Sequence, residues 1–259
     1  MSRQPAEGWQ GWDAYAPFYD WENARTVQRR DVPFWERLAL AQTGRVLELG
    51  CGTGRILLPV ARTGADIVGI DRSAAMLARC RQRLRRARLT NASLVLGDIR
   101  HLPFRRRNRF TLVMAPYGIL QSLTREKDLK ATLASVHRVL SRGGMFVIDL
   151  VPDLPRWSEY RRRRSLSGKR GRQTTLTLIE SVRQDSRRGL TIFDQEYVEQ
   201  RGRERRVHRF TLTFRTLSVP QMSRRLEAAG FGIRAVLGDY QGGPWDPRAD
   251  AWVLICEKN

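Results

Sequence analysis

One short run, Gly50-Cys51-Gly52-Thr53-Gly54, and three carboxylates placed around it carry the chemistry. Glu48 stands two residues before Gly50, Asp71 stands 21 residues after it, and Asp98 lies further on. The run follows the short apolar strand Val46-Leu47-Glu48-Leu49 and precedes a helix-like stretch from Ile56 to Ala61. A strand, a glycine turn and a helix make a ligand site at the carboxyl edge of a sheet. Glycine lets the backbone turn sharply and approach a ligand with no Cβ in the way. Taken alone, Gly50-x-Gly52-x-Gly54 also describes a plain tight turn, and Arg55 occupies the place of the third glycine in a dinucleotide fingerprint. The acids add what the glycines lack. Asp71 ends a second strand, where a carboxylate is set to accept both ribose hydroxyl hydrogens, and Asp98 ends a third at the same edge. The competing account is that strand-end acids only cap the helices that follow, as Asp71 could do just ahead of Ser73.

The elements that must position these groups alternate. Asp66 to Ile70 is a buried strand closed by Asp71; Ser73 then caps a helix with Met76, Leu77, Cys80 and Leu84 at helical spacing and a second face that is nearly all Arg. Leu94-Val95-Leu96 is a third strand and Phe110 to Ala115 a fourth. A long amphipathic helix runs from Leu123 to Leu140, and Ser141-Arg142-Gly143-Gly144 turns into a fifth strand, Met145 to Val151. Strands alternating with helices imply a doubly wound α/β chain, its parallel sheet packed by crossovers on both faces. Pro59 strains the helix after the glycine turn.

Beyond Pro152 the rhythm changes. Residues 174–183, 190–200 and 206–216 are rich in β-branched and aromatic residues. Phe210, Leu212 and Phe214 alternate there with Thr211, Thr213 and Arg215. An inserted three-stranded antiparallel meander is expected, followed by a helix from Val219 to Ala229 and strands near 231–238 and 250–257. Upstream, residues 9–35 carry Trp9, Trp12, Tyr15, Phe18, Tyr19, Trp21, Phe34 and Trp35. Pro17 and Pro33 punctuate them, so one continuous helix is not expected.

Composition bounds the partners. The 259 residues hold 41% apolar side chains, enough for a core, and no apolar run of about 18 residues that would span a bilayer. The opening MSRQPAEGWQ has no apolar segment, so no secretory signal is expected. Cys51, Cys80 and Cys256 are odd in number and far apart. They suggest neither a disulfide framework nor a metal site, and a reducing cytoplasm is the expected compartment. Basic residues number 47 against 26 acids, for a net +21, and all but four of the 47 are Arg. Residues 81–109 and 156–215 hold most of the excess. Arg binds phosphate in a planar, bidentate way, so a nucleic-acid partner stands beside the plainer account of solvated faces.

The ordered motifs resemble a known family. Val46-Leu-Glu-Leu-Gly-Cys-Gly-Thr-Gly54 is similar to motif I of the class I S-adenosylmethionine-dependent methyltransferases. Gly69-Ile-Asp-Arg-Ser-Ala-Ala-Met76 resembles their second motif and Gly97-Asp98-Ile99 their third. Leu140-Ser-Arg-Gly-Gly144 resembles the turn before their fifth strand, and Leu226-Glu-Ala-Ala-Gly-Phe231 their last helix. The resemblance implies a Rossmann-like, mostly parallel seven-stranded sheet over 45–151 and 216–259. It also implies an aromatic N-terminal lid over 1–44, and an antiparallel insertion over 152–215 that roofs the substrate or makes a homodimer contact. It further implies S-adenosyl-L-methionine as cofactor. Glu48 would sit near the methionine amino group, and Gly50, Cys51, Gly52 and Gly54 would line that moiety. Asp71 would hold the ribose, Arg72 and Met76 would flank the adenine, and Asp98 would accept from its amino group with the Ile99 amide beside it. Ala115 and Tyr117 would face the methyl donor.

Such a donor carries a sulfonium and an ammonium, which a +21 protein repels at long range. Carboxylates within about 4 Å can outweigh a field screened over about 8–10 Å. The resemblance also offers Tyr15, Tyr19 and Tyr117 as candidates for catalysis, although Tyr15 and Tyr19 fit equally a packed lid with no chemical role. Gln121 and Tyr240 are its candidate substrate contacts, with Trp245 near the latter. His101, His137 and His208 each have an ordinary structural place as well. Base-methylating relatives carry Asn/Asp-Pro-Pro-Tyr after the fourth strand. Here Met114-Ala115-Pro116-Tyr117 keeps Pro-Tyr and lacks the amide or acid. That weakens base amino-methylation without excluding other RNA targets. The meander after the fifth strand and the Tyr-rich N-terminus resemble the small-molecule branch of sugar and glycine N-methyltransferase-like enzymes, and this resemblance implies a small-molecule acceptor methylated on N or O. The alternatives are an RNA acceptor held by the Arg-rich stretches, or a binding module that has kept the fold without turnover.

Overall fold

A computed structural model describes residues 11–26, 29–105, 109–152 and 158–258. Trp9, Arg106 and Arg107 lie outside them. The first half of the chain forms α1 (Trp12–Thr26), α2 (Val32–Leu40), β1 (Val46–Leu49), α3 (Leu57–Arg62), β2 (Ile67–Asp71), α4 (Ala74–Ala87), β3 (Ala92–Leu96) and β4 (Phe110–Ala115). The second half forms α5 (Glu126–Val139), β5 (Leu140–Leu150), β6 (Tyr160–Arg170), β7 (Thr174–Asp185), β8 (Leu190–Arg201), β9 (Glu204–Arg215), α6 (Val219–Ala228), β10 (Phe231–Leu237) and β11 (Trp252–Lys258). These elements pack as two units, one holding β1–β5, β10, β11 and helices α2–α6, the other holding α1 with β6–β9.

In the first unit seven strands make one sheet in the order β10-β11-β5-β4-β1-β2-β3. Strands β1 to β5 pair in parallel, while β11 runs antiparallel to both β5 and β10. This is the mostly parallel, Rossmann-like α/β sheet expected. Strand β1 is buried throughout, as a strand covered on both faces must be. Its neighbours are β2 and β4, so the strand order reverses there and opens a crevice at the carboxyl edge. Helix α4 buries Met76, Leu77, Cys80 and Leu84 and is capped by Ser73, whose side chain accepts from the Met76 amide. Pro59 does not break α3, because it is the third residue of that helix and an amide there has no partner within the helix. Helix α5 begins at Glu126 rather than Leu123. The preceding residues Ile119–Ser122 form a 3-10 turn, and Glu126 and Asp128 place negative charge in the helix's first turn.

In the second unit β6-β7-β8-β9 form a four-stranded antiparallel meander, one strand more than the three expected. The additional strand is Tyr160–Arg170. It lies at the sheet edge with Arg161–Arg164 all exposed, so it offers no alternation to read; charge on an edge strand also discourages pairing with other chains. The aromatic stretch is not one continuous helix, as expected, since α1 ends at Thr26 and α2 begins at Val32, although α1 itself runs through Pro17. A proline inside a helix costs about 3 kcal/mol. Burial of Tyr15, Phe18 and Trp21 at about 1.5–3 kcal/mol each outweighs it. Phe18 stacks on Tyr197 with ring centroids 4.7 Å apart, and the Trp21 indole donates to the Lys169 carbonyl at 3.1 Å. The aromatic N-terminal stretch is thus divided: α1 packs with the meander and α2 with the seven-stranded sheet. Among the described residues no helix is long and apolar enough to cross a membrane.

Candidate functional site

The glycine turn after β1 is built around left-handed backbone. Gly52 has φ +53°, and a Cβ there would meet nothing nearer than the Gly50 carbonyl at 3.9 Å, so the backbone is bare toward open space. Gly54, at φ +85°, is required by packing instead, since a Cβ would lie 2.3 Å from Leu58 and 2.7 Å from the Cys80 sulfur. The Gly52 amide donates to Asp71 Oδ2 at 2.8 Å, and the Ser73 amide donates to Asp71 Oδ1 at 2.8 Å. Asp71 therefore ties the turn to Ser73, the residue that caps α4.

Glu48 lies on β1 beneath the turn, 2% exposed, and its Oε2 has no hydrogen-bond partner. Burial pushes its carboxyl up to about 8, reinforced by Asp71 and Asp31 and opposed by Arg55 and the Leu57 amide. A buried carboxyl group with an unused acceptor is costly unless something completes it. Asp98, beyond β3, is better supplied. Burial opposes its ionisation, but hydrogen bonds from Arg100 and the charges of Arg100 and Arg72 prevail and hold it below the ordinary carboxylate value. Arg100 Nη2 lies 2.7 Å and Arg72 Nη1 3.3 Å from Asp98 Oδ2, and the Arg100 amide donates to Oδ1. Glu48, Asp71 and Asp98 thus follow one another along the edge of three adjacent strands. Ile99 opens the 3-10 turn capped by Asp98, while Met76, Cys51 and Ala115 are buried around the same edge. Burial raises the Cys51 thiol well above its ordinary value, which makes it packing rather than a nucleophile.

The other side of the edge contains residues that sequence reasoning missed. Arg55, noted only as a departure from a fingerprint, forms a bidentate pair with Asp31 at 2.8 and 2.7 Å. Its guanidinium carbon also lies 5.1 Å from the Tyr117 ring centroid. Tyr117 is 46% exposed and adopts φ +59°, a left-handed conformation that non-glycine residues rarely take and that concentrates at functional sites. Asp149, at the end of β5, accepts from the Gly118 amide at 2.9 Å and from the Tyr240 hydroxyl at 2.8 Å. It was findable by the rule that found Asp71 and Asp98, as an acid closing a parallel strand. Gln121 is 1% exposed, and its amide closes on the Val151 backbone, accepting at 2.8 Å and donating at 3.3 Å.

Tyr15 and Tyr19 belong to the other unit. The Tyr15 and Tyr197 hydroxyls both donate to Glu22 Oε2, and Gln195 donates to Glu22 Oε1 at 3.2 Å. Burial, with Glu22 alongside, raises the Tyr15 phenol well above its ordinary value, and its hydroxyl donates to Glu22. Tyr19 packs edge-on against Trp12 and Tyr15. His101 is exposed, His137 packs edge-on to Phe231, and His208 lies against Phe18 in the meander. Trp245 meets Trp252 edge-on. Among the described residues no group of three or more His, Cys, Asp or Glu could hold a metal.

Residues 46–144 match a family model described as methyltransferase domain. An uncharacterized methyltransferase from Synechocystis sp. is 34% identical over 113 residues, which cover 44% of this chain and 50% of that protein. Other curated relatives are spanned for 36% and 60% of their length, so the chain spans about half the length of those it first matches. The solved CcbJ methyltransferase from Streptomyces caelestis aligns with TM-score 0.78 at 19% identity, over 95% of this chain and 96% of that one. The sugar N-methyltransferase KedS8 from Streptoalloteichus sp. aligns with TM-score 0.75 at 17% identity, over 92% of each chain. At those identities the two structures establish a shared fold.

Proposed function

We propose that this chain, a member of the class I S-adenosylmethionine-dependent methyltransferase family through residues 46–144, moves a methyl group onto nitrogen or oxygen of a small molecule by in-line displacement. The observation that carries the reading is the unpartnered, buried Glu48 Oε2 beneath a bare glycine turn. S-adenosylmethionine supplies, when bound, a methyl carbon already activated on a sulfonium. The residues present fit it. Glu48 would accept from its ammonium, the Gly52 backbone admits the methionine moiety, Asp71 would take the ribose hydroxyls, and Asp98 and the Ile99 amide would take the adenine edge. Arg72 and Met76 would flank that ring, and Ala115 and Tyr117 would face the methyl group. Asp31 and Arg55 act on both Glu48 and Asp149, and Asp71 acts on Glu48, so carboxylates gather at this part of the edge and suit a cationic ligand in a chain of net +21. Alignment of donor and acceptor contributes up to roughly 7–11 kcal/mol, so positioning rather than a strong base carries the acceleration.

The likeness to a sugar N-methyltransferase and the surplus of carboxylates favour an amine acceptor, with Tyr240 on the acceptor side. An RNA acceptor is the second reading. It rests on the turns β6–β7 and β8–β9, which bring Lys169, Arg172, Arg201, Arg203, Arg205 and Arg206 to one end of the meander. One experiment tests both: transfer of a labelled methyl group into fractionated cell extract. Label in the small amines supports the first, and label in RNA, with affinity falling steeply with salt, supports the second. Cofactor binding with no label in any fraction would leave a binding module.

A further inference from the structure

Asp149 joins two parts of the chain that the methyl-transfer reading places beside the acceptor. Its carboxylate is 2% exposed, yet both oxygens are engaged, Oδ1 by the Gly118 amide and Oδ2 by the Tyr240 hydroxyl. The Gly118 side of this tie follows β4 through two consecutive left-handed residues, Tyr117 at φ +59° and Gly118 at φ +63°. Gly118 tolerates no side chain, since a Cβ would lie 2.6 Å from Gln121 Oε1 and 3.0 Å from Val151. The Gln121 amide clamps Val151 from the same turn, so the turn is held to β5 at two points. On the far side Tyr240 packs on Phe34, and its carbonyl accepts from Arg37 at 2.9 Å. Arg55, paired with Asp31, lies over the Tyr117 ring and completes the set of charges around Asp149.

We infer that Asp149 is a positioning residue for the acceptor: one buried carboxylate holds Tyr240 and the Tyr117–Gly118 turn in a single mutual arrangement. Neither oxygen need touch the reacting atoms for this. A buried carboxylate bonded to donors from two loops fixes both loops, because releasing either leaves a buried charge short of a partner. Burial raises the Asp149 carboxyl to about 6, against the lowering effects of the Gly118 amide, Tyr240 and Arg55, and with Asp31 adding to the rise. The tie is then strongest above that pH and loosens below it.

The inference rests on the methyl-transfer reading, and the test separates the two. The Gly118 amide resonance of the full chain is followed by NMR from about pH 4.5 to about pH 8, in wild type, Asp149→Asn and Tyr240→Phe. In wild type it titrates with a midpoint near 6. Tyr240→Phe moves the midpoint upward, because it removes a donor that favours the ionised form, and Asp149→Asn abolishes the titration. S-adenosylhomocysteine affinity, measured by calorimetry, stays within about twofold in both variants. Methyl transfer into the small-amine fraction of cell extract falls about 10- to 100-fold, the scale of a misplaced reactant. A Gly118 signal that does not titrate, or a midpoint unmoved in Tyr240→Phe, overturns the tie. Cofactor affinity lost in step with transfer overturns the acceptor role. If wild type binds the cofactor analogue and labels no fraction, the methyl-transfer reading falls and takes the acceptor role with it, while the titration still decides the tie.

Discussion

Glu48 in the seven-stranded unit and Glu22 in the antiparallel unit are both carboxyl groups drawn out of water, and the two units treat them in opposite ways. Glu22 accepts from Tyr15, Tyr197 and Gln195, so each of its oxygens is occupied. Glu48 is more deeply buried and has one oxygen with no partner. Burial raises the carboxyl of each. The difference separates a satisfied carboxylate, which cross-links its surroundings, from one that keeps an unused acceptor and so calls for a partner.

This contrast can be broken at several points. Glu48→Gln should weaken S-adenosylmethionine binding by about 1.5–3 kcal/mol, the worth of a charged hydrogen bond, without lowering the melting temperature at pH 8. Calorimetry showing unchanged affinity would falsify the assignment of Glu48 to the cofactor ammonium. Glu22→Ala should do the reverse, costing about 1–3 kcal/mol in denaturant unfolding by stranding two phenols while cofactor affinity holds. A loss of affinity with intact stability would reverse the roles given to the two acids. Asp71→Ala should weaken cofactor binding by about 1–3 kcal/mol, since it removes a ribose acceptor and also the tie to the Gly52 amide. Equal affinity in a folded variant would reduce Asp71 to a tie between the turn and Ser73.

A further effect, smaller than these over any single pH unit, is one of pH. The Glu48 carboxyl is raised in the folded chain from 4.5 to about 8. Its contribution to stability is fully present below the unfolded value and is lost as pH rises through about 8. A bound ammonium reverses that preference by favouring the ionised form. Cofactor affinity should therefore rise with pH by no more than about tenfold per unit and level off above about 8, with proton release visible as a buffer-dependent binding enthalpy. A flat profile, or the same slope in Glu48→Gln, would show that Glu48 does not titrate with binding.

Much of the seven-stranded unit was legible because its signals are local. Leu47 and Leu49 flank Glu48 in a buried strand, the glycines follow at once, and Asp71 and Asp98 close the next two strands. The antiparallel unit was legible only in part. Arg161–Arg164 hid β6 because an exposed edge strand has no apolar face, and the aromatic burial that carries α1 through Pro17 comes from Tyr197 and Phe210, far along the chain. Nothing in the sequence marks Glu22 as the hydrogen-bond partner of Tyr15.

Sequence alone determined where the turns and the strand-end acids lie, because helix and strand periodicity and glycine's backbone freedom act over a few residues. Only the tertiary structure decided which acids find donors. Gly118 reaches Asp149 across 31 residues, Tyr240 reaches it across 91, and Tyr197 reaches Glu22 across 175. A hydrogen bond acts over about 3 Å and in one direction, so no spacing along the chain foretells it.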